Sequence, residues 1–92
     1  MNRITTKQLQ AICDRINRVT NSPMEPWTRI DGQLTANIGN YHLDGAYGGY
    51  ALEQMVNESG GVRSVFGCGH IPKRELADRM YAFLAGLETK AA

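Results

Sequence analysis

The chain has 92 residues, of which 42% are hydrophobic and 21% are charged, and its formal net charge at pH 7 is +1. This length suits a single domain, residues 1–92, and the composition excludes a disordered chain. The near-neutral charge argues against a general binder of free duplex DNA, and no apolar run approaches the roughly 20 residues that span a bilayer.

The first predicted element is an amphipathic helix that begins just after Thr5. Thr5 and Gln8 fit a capping box, in which each side chain bonds the backbone amide of the other residue. Apolar residues then recur with helical spacing, at Leu9, Ile12, Cys13, Ile16 and Val19. We expect the helix to end by Asn21, because Ser22 precedes Pro23 and is biased away from helical dihedral angles.

Two tight turns follow and predict an antiparallel sheet of three strands. Asp31-Gly32 is a strong signal for a two-residue hairpin, and Gly39-Asn40 is a weaker one. Both turns put the same side chains on the face that should meet the helices: Trp27, Leu34, Ala36, Ile38, Tyr41 and Leu43. The other face, expected to meet solvent, carries Thr28, Thr35, Asn37, His42 and Asp44, with Ile30 as the exception. A slip of one residue would break this agreement.

The C-terminal half predicts two more helices and a short strand. A second helix is expected over residues 50–57, then a strand from Val62 to Phe66 and a loop at residues 67–69. Pro72 suits the first turn of a last helix with an apolar stripe of Leu76, Met80, Phe83, Leu84 and Leu87. Gly86 is a predicted C-cap, and residues 89–92 a predicted disordered tail. The predicted fold class is α+β, with a three- to four-stranded antiparallel sheet and helices packed on one face.

The segment from Gly45 to Gly49 lies between the third strand and the second predicted helix. Backbone amides at the start of a helix can hold phosphate, so the segment is a candidate nucleotide-binding loop. It lacks the lysine of a P-loop and the spacing of a dinucleotide fingerprint, and an antiparallel strand precedes it. The alternative, which we favour, is that its glycines supply positive φ angles for a sharp reversal.

Cys68 and His70 stand two residues apart, and His42 and Asp44 form a second close pair. A closed zinc site needs four ligands at known spacings, which these pairs do not provide. Cys68 and His70, with Glu75 near in sequence, form a catalytic set on paper, but nothing marks an oxyanion hole or a substrate pocket. We therefore expect no metal, no cofactor and no enzymatic activity.

Cys13 and Cys68 are expected to be reduced thiols. The N-terminal segment MNRITTKQLQ lacks the apolar stretch of a secretory signal, so we expect the protein to stay in the cytoplasm. Two cysteines in that compartment are usually reduced, and a disulfide is the alternative.

Three cations are candidates for contact with an anionic partner. Lys73 and Arg74 open the last helix, where positive charge opposes the helix dipole, and Arg63 lies in the short strand before it. The alternative is that Glu75 and Asp78 compensate the two helical cations and that all are plain surface charges.

Tyr47 is the aromatic residue that we expect to be most exposed, because it lies in a glycine-rich loop. It is a candidate interface anchor, or it folds back over the sheet as a lid. Residues of the polar sheet face complete the set that is expected to bind a partner: Arg63, Lys73, Arg74, Tyr47, His42 and Asn37.

The block LDGAYGGYALEQMVNESGGV, followed by VFGCGHIPKREL and AFLAGLE, carries a signature over roughly residues 40–88. It resembles small proteins of bacteriophages and prophages, in which an aspartate precedes AYGGY, an asparagine precedes a double glycine, and KREL and AFL-GL follow. In length, charge and phage character the chain is also similar to phage anti-CRISPR proteins, in particular those that inhibit type I-F surveillance complexes.

That resemblance implies a compact protein of the host cytoplasm that has no enzymatic site. Proteins of that class bind the RNA-guided complex, and some block its DNA path by contacting Cas subunits and guide RNA. We therefore expect a phage-encoded inhibitor that binds CRISPR Cas subunits and guide RNA and blocks target DNA binding. The alternative is a small module that sequesters a nucleotide in the Gly45–Gly49 loop.

Overall fold

A computed structural model of the protein describes the backbone of residues 4–91 and the side chains of residues 4–89. The elements are α1 (Thr6–Val19), β1 (Trp27–Ile30), β2 (Gln33–Ala36), β3 (Tyr41–Ala46), β4 (Gly49–Met55), β5 (Val62–Ser64) and α2 (Lys73–Ala91). β1 and β2 form one antiparallel sheet, and β3, β4 and β5 form another in that order. The predicted α+β class is confirmed.

The core lies between the two helices and one face of the three-stranded sheet. The residues buried there come from all the larger elements: Leu9, Ile12, Cys13, Ile16, Tyr41, Leu52, Leu76, Ala77, Met80 and Leu84. The predicted apolar stripes of α1 and α2 are thus confirmed. The capping box at Thr5 and Gln8 is present in full, and it fixes the start of α1.

The β1–β2 hairpin has the predicted register, with Trp27 opposite Ala36 and Arg29 opposite Leu34 across the Asp31-Gly32 turn. The prediction that this hairpin continues into β3 is wrong. Its strands are exposed at nearly every position, and Trp27 and Leu34 keep 40% and 56% of their surface. The predicted buried face therefore holds only in part.

Gly39 and Asn40 do not form a two-residue hairpin. The amide of Gly39 donates to the carbonyl oxygen of Met55, and the amide of Met55 donates to the carbonyl oxygen of Asn40. The side chain of Asn40 donates to the carbonyl oxygen of Pro23. These bonds tie the segment to the end of β4. β3 consequently pairs with β4, and Ile38 is left more than half exposed.

The predicted helix over residues 50–57 is wrong, because these residues continue a hairpin. Tyr47 and Gly48 have φ angles of 54° and 75°, the pair of positive values that a two-residue type I′ turn requires. Gly49 follows, and a Cβ there would lie 2.7 Å from the carbonyl oxygen of Ile71. The chain therefore turns straight back and forms β4.

The C-terminal elements follow the prediction more closely. β5 is confirmed as a short strand within the predicted range, and Pro72 directly precedes α2, its carbonyl oxygen accepting from the amide of Leu76. Gly86 does not end the helix, which runs on to Ala91 through residues expected to form a tail. Ala92 lies outside the described residues.

One buried side chain fastens α1 to β3. Asn17 is 1% exposed; its Oδ1 accepts from the amide of Tyr41 at 2.8 Å, and its Nδ2 donates to the Tyr41 carbonyl oxygen at 2.9 Å. The amide thus takes both backbone bonds that a neighbouring strand would make with Tyr41. It satisfies a strand edge that would otherwise be buried without partners.

We expect Asn17→Ala to lower the free energy of unfolding by about 2–4 kcal/mol, because it leaves the buried Tyr41 amide unsatisfied and its carbonyl oxygen with only the weak Cys13 thiol donor. Gln10→Ala, an exposed change on the same helix, should cost less than about 0.5 kcal/mol. Urea denaturation followed by circular dichroism measures both. Equal losses in the two variants would contradict the role given to Asn17.

Leu34→Asp and Leu84→Asp separate the observed fold from the predicted three-stranded meander. Leu34 is 56% exposed and Leu84 is 4% exposed. We expect Leu34→Asp to change stability by less than about 1 kcal/mol, and Leu84→Asp to prevent folding because it buries an unpaired charge. The dispersion of the amide signals in NMR spectra shows whether each variant is folded. An unfolded Leu34→Asp variant would support the predicted three-stranded meander instead of the observed fold.

Candidate interaction surface

The tip of the β3–β4 hairpin carries the most exposed large apolar side chain among the described residues. Tyr47 keeps 97% of its surface, and its ring packs against the His70 ring in a T-shaped arrangement with the centroids 5.7 Å apart. Lys73, the first residue of α2, lines a shallow cleft against the same turn. We call Tyr47, His70 and Lys73 the Tyr47 patch.

A carboxylate on β3 holds this patch together. Nε2 of His70 lies 2.6 Å from Oδ2 of Asp44, so the segment before α2 is bonded to the hairpin. The amide and carbonyl oxygen of Ile71 also exchange bonds with Tyr50 on β4. The start of α2 is therefore set against the turn that carries Tyr47.

The glycine segment is a strand–turn–strand feature and does not open a helix. Its cleft has a volume of about 460 Å³ and is lined by Gly45, Ala46, Gly48, Gly49, Tyr50 and Lys73. The nearest helix start is that of α2, which the fold brings against the segment from elsewhere in the chain. The premise of a loop that runs directly into a helix is thus wrong. The favoured reversal is confirmed, but its positive φ angles lie at Gly48 and Tyr47, and Gly45 and Gly49 do not supply one.

The six residues expected to bind a partner lie in four places. Tyr47, Lys73 and Arg74 lie at the hairpin tip and the first turn of α2. Arg63 lies on β5, where its Nε donates to Oε1 of Gln54. His42 lies near the other end of β3, and Asn37 follows β2.

Asn37 and His42 have partners within the chain. The side chain of Asn37 donates to the carbonyl oxygen of Glu25 and exchanges bonds with the Thr28 hydroxyl. His42 has Nε2 3.4 Å from Oε1 of Glu53, and its Nδ1 is 3.3 Å from Oδ1 of Asn40. These contacts give both residues a role inside the fold.

The link between Asp44 and His70 is a part of the patch that the sequence did not predict. The sequence singled out both residues, but in two separate pairs, His42 with Asp44 and Cys68 with His70. Asp44 and His70 are 26 positions apart in the chain. The only signal was the presence of a carboxylate and an imidazole on either side of a hairpin. Their pairing depends on the path of the chain from β5 to α2.

The two cysteines are free thiols in different surroundings. Burial, and next to it the negative charge of Asp14, raises the pKa of Cys13 from its ordinary value of 9.0 to about 12. Its Sγ donates to the carbonyl oxygen of Tyr41 at 3.2 Å. Cys68 is exposed, and its Sγ lies 3.9 Å from the carbonyl oxygen of Gly69.

Within residues 4–91, no three side chains of histidine, cysteine, aspartate or glutamate gather closely enough to hold a metal ion. The same part of the chain contains no helix that combines the length and the apolar character needed to cross a bilayer. Comparison of the chain with protein-family models, with curated protein sequences and with solved structures finds no match.

We expect a thiol reagent at pH 8 to modify Cys68 rapidly and Cys13 only on unfolding. Cys13 is buried and keeps its proton well above this pH, whereas Cys68 is open to solvent. Ellman's reagent, with and without denaturant, measures both rates. A native Cys68→Ser variant should show almost no reaction, and rapid labelling of that variant would contradict the burial of Cys13.

Proposed function

We propose that the protein is a phage-encoded, non-enzymatic inhibitor that acts in the host cytoplasm by binding a defence complex of protein and RNA. Its most specific form is an anti-CRISPR protein that binds Cas subunits and guide RNA and blocks target DNA binding. The observation that carries the proposal is Tyr47, which is 97% exposed in a tight turn beside Lys73.

An exposed tyrosine in a two-residue turn suits an interface anchor. Solvation of a whole aromatic ring costs free energy that burial against a partner recovers. The turn fixes the backbone of Tyr47, so few degrees of freedom are lost on binding. Such a ring can fill a pocket on a protein or stack on an unpaired base of RNA.

The cations at the start of α2 favour an anionic component in the partner. Lys73 and Arg74 lie in the first turn of α2, where the helix dipole disfavours positive charge. The negative charge of a phosphate backbone would stabilise cations in that position. Lysine and arginine side chains, combined with aromatic rings that stack on the bases, are a common way to bind single-stranded nucleic acid. With a net charge of +1, this attraction is local to the patch.

The alternative function is sequestration of a small nucleotide. The cleft of about 460 Å³ beside the glycine turn supports it, because Lys73 borders a space with exposed backbone. Thermal-shift measurements with cyclic and linear nucleotides distinguish the two functions. A clear shift with nucleotide alone would favour the alternative, and no shift would favour the inhibitor.

We expect Tyr47→Ala and Lys73→Glu each to weaken binding to a purified type I-F surveillance complex by about 30-fold or more, as for an interface hot spot. Tyr81→Ala, which removes another exposed tyrosine on α2, is the matched control and should bind normally. Surface plasmon resonance gives the dissociation constants, and thermal unfolding verifies that each variant is folded. Absence of binding by the unaltered protein at micromolar concentration would reject this form of the proposal.

A further inference from the structure

The outer edge of β3 is open for most of its length. β3 is the first strand of the sheet, so β4 pairs with one side of it only. Ala46 lies opposite Gly49 across the two-residue turn, so these two residues form a hydrogen-bonded pair. Because hydrogen-bonded pairs alternate along an antiparallel ladder, the backbone groups of Ala46, Asp44 and His42 point toward β4 and bond it. The backbone groups of Tyr41, Leu43 and Gly45 therefore point away from β4.

Tyr41 shows that this assignment is correct, because Asn17 bonds both of its outward groups. The next two outward positions, Leu43 and Gly45, differ. No described side chain (residues 4–89) and no described backbone group (residues 4–91) makes a hydrogen bond with their outward amides or carbonyl oxygens. Two donors and two acceptors are thus arranged with the spacing of a strand and have no hydrogen-bond partner among the residues that the structure describes.

A cleft of about 450 Å³ lies beside this edge. One of its walls is α1, through Gln10 and Asp14, and the segment from Met24 to Trp27 is another. Its apolar lining includes Leu43 and Met55, together with Met24 and Trp27, which are both partly exposed. A segment paired with β3 would place alternate side chains in this cleft.

The charge of the cleft selects the segment. Asp14 and Glu25 line it, and no lysine or arginine does so among the described residues. The histidine that lines it, His42, is already close to a carboxylate of Glu53. A lysine or arginine on an incoming strand would find opposite charge on the walls, and a nucleic acid would be repelled.

We propose that the outer edge of β3 binds an extended, basic segment of a partner protein as an added strand. The open groups of Leu43 and Gly45 bond its backbone, and Asp14 and Glu25 attract its lysine or arginine side chains. This binding surface goes beyond the proposed function, since it needs neither RNA nor the Tyr47 patch.

A second copy of the chain fits this edge poorly. The antiparallel register that uses every open group sets Leu43 opposite Gly45 of the other copy, and it brings the two Asp44 residues directly opposite each other. Like charges in that position are destabilising. The register that sets Leu43 opposite Leu43 directs Gly45 to Tyr41, whose outward groups Asn17 already occupies.

The probe is a capped peptide of about ten residues that alternates lysine and valine, with a glutamate–valine peptide as its control. We expect the lysine peptide to bind with a Kd of about 10–100 μM, a weak affinity that suits a short strand, and the glutamate peptide at least tenfold more weakly. NMR hydrogen exchange should slow at the amides of Leu43 and Gly45. The amides of His42 and Asp44, which β4 already bonds, should change little.

Two further comparisons separate strand addition from general attraction of charge. N-methylation of alternate peptide amides should abolish binding for one set of positions and spare the other, because only one set faces β3. The double variant Asp14→Lys/Glu25→Lys should lose at least tenfold in affinity. The double variant Glu58→Lys/Asp78→Lys has the same net charge but changes two exposed residues that do not line the cleft, and it should bind almost normally.

Several outcomes would overturn the proposal. These are equal binding of both peptides, equal loss in the two double variants, binding without slower exchange at Leu43 and Gly45, and no binding at millimolar concentration. Concentration-dependent protection of the same amides in the protein alone, together with a dimer in sedimentation, would assign the edge to a second copy.

Discussion

The fold depends on the pair of hydrogen bonds between the Asn17 side chain and the backbone of Tyr41. They fix the last turns of α1 at the start of β3, and the register of the helix over the sheet follows. The Cys13 thiol adds a third hydrogen bond, which it donates to the carbonyl oxygen of Tyr41. Because a buried backbone group must be satisfied, this side chain closes one end of the β3 edge and leaves the rest open.

The β3–β4 hairpin carries the second constraint, which is a close approach of backbones. Because Gly49 has no side chain, the backbone of Ile71 can approach it closely. The bond between Asp44 and His70 also holds the segment before α2 against the hairpin. Together they set the start of α2 beside Tyr47. The exposed ring and the cations of α2 are therefore positioned by rigid parts of the fold, as a preformed binding surface requires.

The small net charge conceals a separation of charge. The cleft beside β3 has acidic walls, whereas the first turn of α2 begins with two cations. The two surfaces would therefore suit partners of opposite charge, and the sum of +1 describes neither surface. A protein that meets both protein and RNA would use two such surfaces.

The sequence by itself determined the features that depend on neighbouring residues: the capping box, the stripes of both helices and the Asp31-Gly32 turn. The sequence did not predict β4 as a strand, because Leu52 is buried on one face of the sheet while Ala51 and Met55 are buried on the other. A strand buried on both faces loses the alternation that marks a strand, and its apolar spacing imitates a helix. Only the tertiary structure decided that β3 pairs with β4, that Asp44 meets His70 and that Lys73 lies near Tyr47, since these contacts join distant parts of the chain.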